Sequence, residues 1–179
     1  IGAVITETYS KKGRDGSLSC SPGFKKDKTS GKFYEDLILG RMPFATCAVL
    51  LKSSLGKQFS FPEGISNGED VVYFARIFFS TTVYYCQKPT AVTLWHADSL
   101  RHNIEELKRQ DIALVRTILN DPFYGGALEY LRKDFMSRRY LELFRKLYLA
   151  GENRLARTYF IKAVSVKPSS LFKTDYLIK

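Results

Sequence analysis

The pattern of apolar residues changes character once along the chain, near residue 103, and that change constrains the fold more than any single motif. Before it, short runs of β-branched and aromatic residues alternate with glycine and proline. After it, apolar residues recur every three to four positions almost without a break. The expectation is a mixed α/β region over residues 1–103 and an all-helical extension over residues 104–179. With 179 residues, 45% of them hydrophobic, the chain has enough apolar side chain to build a sizeable core.

Within the first region, Val4, Ile5, Thr6, Thr8 and Tyr9 predict a strand over residues 3–9. Residues 10–32, rich in Gly, Ser and Lys, predict a long loop, a feature that is usually functional or mobile. "FYEDLILG" predicts a short helix that ends at Gly40 and that Pro43 bars from continuing, and "FATCAVLLK", residues 44–52, predicts a buried strand. Val71, Phe74, Ala75 and Phe78 lie close to helical spacing and predict an amphipathic helix over residues 70–79. "TTVYYCQKPTAVTLWH" reads as two strands, residues 83–86 and 91–95, joined by a turn at Lys88 and Pro89.

In the second region, Ile104, Leu107, Ile112, Val115 and Leu119 form one broad stripe, predicting a continuous helix that Asp121-Pro122 ends. Helices over residues 126–150 and on through Val166 meet at Gly151, in a layout like one tetratricopeptide helical hairpin. A single copy does not make a solenoid.

A formal net charge of +10 favours an anionic partner: nucleic acid, a phosphorylated small molecule or an acidic membrane surface. No apolar run approaches the roughly 18 residues that cross a bilayer, and the first twenty residues carry no signal-peptide pattern. Cys20, Cys47 and Cys86 are odd in number and irregularly spaced, which suggests neither a disulfide framework nor a structural zinc site. A cytoplasmic protein, soluble or peripheral on the inner face of the membrane, is the expectation.

Gly68-Glu69-Asp70 places two carboxylates at a helix start, where they complement the exposed N–H groups and the positive end of the dipole. A second doublet, Glu35-Asp36, shows that such pairs arise without catalysis. The order around the first doublet adds another reading. A predicted buried strand (residues 44–52), Phe61-Pro62-Glu63, Gly68-Glu69-Asp70, Arg76, two short strands and then "WHADS" closely resembles the second half of the family 2 glycosyltransferases, which have the GT-A nucleotide-sugar transferase fold. The resemblance covers residues 1–103, and helices like those predicted after it are appended to many bacterial members.

The resemblance implies an inverting transfer from a nucleotide-diphospho-sugar to a glycan or lipid-linked acceptor, as in bacterial surface polysaccharide synthesis. Asp70 would be the general base, which requires a carboxylate within about 3 Å of the acceptor hydroxyl. Glu69 would position the acceptor or its loop, with Gly68 and Arg76 on the same acceptor side. Gly40 falls in a segment that lines the acceptor side in the family; a plain helix C-cap is the other reading. His96 matches a histidine near the donor diphosphate and its divalent cation, Mn or Mg, although a histidine at a strand end is often structural.

The chain departs from the family pattern in one serious respect: it contains no Asp-x-Asp and no adjacent pair of aspartates, and the nucleotide-binding half is missing. The abrupt strand-like start at Ile1 leads to the expectation of a truncated enzyme, inactive alone and without a tightly bound cofactor. Two rival readings are a basic nucleic-acid-binding module and a helical protein-interaction module. The first requires basic and aromatic residues interleaved on one face. Most aromatics of the β region fall instead at core positions, so nucleic acid is not the expected partner. The second rests on the helical hairpin.

Overall fold

The computed structural model of the chain describes residues 1–12, 16–20, 23–42, 44–65, 67–95 and 104–172. The chain divides into two units, Ile1–Ser99 and Leu100–Lys179. The first is mixed α/β, and the described part of the second is helical.

The sheet of the first unit is built around β1 (Ala3–Lys12) and β5 (Val83–Trp95), which pair in parallel over their whole length. β3 (Lys28–Ser30) runs antiparallel to the first residues of β5. The other edge of β1 takes β4 (Val49–Leu51) at its start and β2 (Leu18–Ser19) at its end, both antiparallel. Period-two alternation puts Ala3, Ile5 and Glu7 of β1 on the buried face, beside Val83 and Tyr85 of β5.

Three helices lie between β4 and β5 or before them: α1 (Phe33–Ile38), α2 (Ser53–Gln58) and α3 (Glu69–Ser80). α3 packs on α1 and buries Val72, Phe74, Ala75, Ile77 and Phe78, each worth up to roughly 1.5–3 kcal/mol for the larger side chains. Phe44 meets the rings of Phe74 and Phe78 edge-on at 5.0 and 6.2 Å.

Four sequence expectations change here. Residues 83–95 form one strand, not two, because Pro89 falls at a bulge where the register against β1 shifts on either side of Glu7; a residue without an N–H is tolerated there. Residues 44–52 are not a buried strand: a 3-10 turn, Thr46–Ala48, leads into β4, a short edge strand whose Leu50 is 69% exposed. The segment 10–32 contains β2 and β3 and is tied to the sheet. Asp27 accepts from Tyr84 Oη at 2.6 Å and from the Gln87 amide at 2.9 Å, while Gln87 Nε2 donates to the Phe24 carbonyl at 2.7 Å. Lastly, the stripe over residues 104–119 is two helices, α4 (Ile104–Gln110) and α5 (Ala113–Leu119), parted at Asp111, whose φ of +36° is left-handed.

Asp111 is held in that conformation from outside its own helix. Its carbonyl accepts from Arg139 Nε at 2.9 Å, and short polar residues adopt the left-handed region more readily than others. α6 (Arg132–Leu149) and α7 (Asn153–Val166) form the hairpin. Between them Gly151, at φ +82°, donates to Tyr148 O and Glu152 N donates to Leu147 O, the paired bonds of a Schellman cap. Leu107, Tyr140, Leu141, Leu143, Leu147, Ala156, Tyr159 and Ala163 make this unit's core. Among the described residues, no helix is long and apolar enough to cross a membrane.

Candidate functional site

α3 begins where Gly68, at φ +103°, turns the chain, a conformation that glycine alone adopts without strain. Glu69 and Asp70 occupy its first two positions. One Asp70 oxygen accepts from the Val71 amide at 2.8 Å, and the other faces the Thr46 hydroxyl at 3.4 Å. The 3-10 turn carrying Thr46 is therefore set against the start of α3, with Asp70 between them. Glu69 Oε2 is buried and has no hydrogen-bond partner among the described residues.

The two Glu-Asp doublets differ in their surroundings. Asp36 is paired with Lys28 at 3.5 Å and Arg41 at 4.0 Å, and Glu35 with Lys32 at 3.7 Å. Those carboxylates are neutralised by their neighbours. Glu69 and Asp70 form no ion pair among the described residues, and both are partly accessible.

The other candidates are less concentrated. Arg76 lies two turns along α3; at 3.6 residues per turn it falls roughly 20° from Glu69 around the axis and roughly 120° from Asp70. Gly40, at φ +46°, closes α1: its N–H donates to Leu37 O and that of Arg41 to Asp36 O, again a Schellman pair. Its glycine is accounted for by that cap. His96 lies outside the described residues. Among the described residues there is no group of three or more His, Cys, Asp or Glu side chains that could hold a metal ion. Cys20, Cys47 and Cys86 are unpaired thiols.

Two groups escaped sequence reasoning. Thr46 gave no signal, since its approach to Asp70 spans 24 positions. Glu7 was legible: alternation from Ala3 and Ile5 places it on the inner face of β1. It is only 3% exposed, and its Oε1 accepts from the Gly23 amide at 2.6 Å. Tyr85 Oη accepts from the same amide at 3.2 Å and from that of Phe24 at 3.3 Å. Glu7 thus anchors a loop to the sheet, a structural use for a buried acid.

Neither the known family models nor the curated proteins contain a match to this chain.

Proposed function

We propose that the chain is the acceptor-side part of an inverting glycosyltransferase of the GT-A class, with Asp70 as general base. Asp70 takes the proton of an acceptor hydroxyl as that oxygen bonds to the anomeric carbon, and the bond to the nucleoside diphosphate breaks with its electron pair leaving on the phosphate oxygen. Glu69 holds the acceptor or its loop in line. The observation that supports this reading is the un-neutralised carboxylate pair at the start of α3, set against Thr46, whereas the second doublet is bound up in ion pairs. The chain has no Asp-x-Asp, and on this reading donor and divalent-cation binding rest on groups other than Glu69 and Asp70.

The chain alone, mixed with UDP- or GDP-sugars, Mn²⁺ and glycan acceptors, is expected to transfer no sugar. In a protein that supplies an Asp-x-Asp segment in frame before Ile1 and does transfer, Asp70→Asn should lower turnover by roughly 10²–10⁴-fold, the contribution of a positioned base. Turnover that survives Asp70→Asn returns Glu69 and Asp70 to a helix-capping role.

A further inference from the structure

Between the later half of α6 and the first half of α7 runs an open groove of about 390 Å³. Its walls are Phe144 and Tyr148 from α6 and Ala156 and Phe160 from α7, with Asn153 and Arg157 as the polar rim. The Phe144 ring lies 5.2 Å from Phe160 and 6.0 Å from Tyr148, and Tyr148 is 60% exposed. Aromatic surface of this kind is left in water at a cost that an occupant would remove.

The charged side chain lining the groove is Arg157, which has no carboxylate partner among the described residues. The nearest carboxylates in sequence are engaged elsewhere: Glu142 with Arg139 and Lys146, and Glu152 with Lys108. An occupant therefore has to bring both apolar surface and negative charge. A small anion gains nothing from the aromatic walls, and a neutral apolar ligand leaves the Arg157 guanidinium unmatched. A bilayer surface does not enter a cleft between two helices, whereas one bulky side chain on a peptide does.

We propose that this groove docks an acidic peptide segment of a partner protein. One large apolar side chain of the peptide packs against Phe144, Tyr148 and Phe160, and a flanking carboxylate pairs with Arg157. Aromatic and arginine side chains are the groups that most often dominate binding energy at such surfaces.

The test starts from random peptides of about 12 residues displayed against the full chain. The selected peptides are expected to carry Asp or Glu next to Phe, Trp or Leu. A fluorescent synthetic copy should bind, and Arg157→Glu should weaken it about tenfold or more, while Lys133→Glu, the same charge change at the far end of α6, should shift it less than about twofold. Phe160→Ala should also weaken it about tenfold, with the helical circular dichroism retained. Selected peptides without the acidic and apolar pairing overturn the proposal, as does an equal loss in Arg157→Glu and Lys133→Glu, which marks unspecific charge attraction. Phosphatidylglycerol vesicles that bind through Arg157 and Phe160, with no peptide bound, overturn it too and assign the face to a membrane.

Discussion

At the scale of single residues, the acids divide by what surrounds them. Glu7 satisfies a backbone amide inside the fold, so Glu7→Ala should cost about 1–3 kcal/mol in urea unfolding, and Glu7→Gln, which keeps an acceptor, should cost less. Gly68 sits where a β-carbon is penalised; Gly68→Ala should lower stability by roughly 1–2 kcal/mol whether or not Asp70 is catalytic. Tyr159 gives a pH test in the second unit. Burial first, then the charge of Asp111 and a hydrogen bond to it, push its phenol from 10.0 up to about 12. The folded state therefore holds this proton more tightly than the unfolded chain. Its contribution is full below the unfolded value of 10.0 and is lost as pH rises toward about 12. Tyrosinate absorbance should show a late-titrating phenol that Tyr159→Phe removes, along with part of the alkaline loss of stability.

At the scale of elements, helices whose periodicity was uninterrupted were legible from the sequence, and strands were legible except where pairing decided them. α1, α3 and the hairpin arise from apolar spacing and glycine caps, which are local signals. β4 and the bulge in β5 depend on β1, a partner more than forty positions away, and no window of sequence contains that information. The break between α4 and α5 is similar, since Arg139, on another helix, holds Asp111 where the stripe predicted continuous helix. In the hairpin, Ala163 is fully buried in the core that α6 and α7 share. Ala163→Leu should destabilise the protein by about 1–3 kcal/mol through overpacking, measurable as a lower urea midpoint, whereas the same change at exposed Ser165 should be nearly neutral.

For the whole molecule, the charge is unevenly distributed. Residues 100–179 carry +7 of the chain's +10, with sixteen Lys and Arg against nine Asp and Glu. That unit also has its own core, so residues 100–179 expressed alone should give a helical circular dichroism spectrum and a cooperative melt; a featureless coil spectrum would show that it depends on the first unit. The sequence by itself determined the change from mixed α/β to helical structure, the positive charge and the position of two carboxylates at the start of a helix. These follow from composition and from periods of two and 3.6 residues, which are local properties of a chain. Only the tertiary structure decided that Lys28 pairs with Asp36 while Glu69 and Asp70 have no ion pair among the described residues, that Thr46 faces Asp70, and that aromatic rings of α6 and α7 share one groove with Arg157. Each of these is a distance between side chains on separate elements, fixed by packing and pairing once those elements come together.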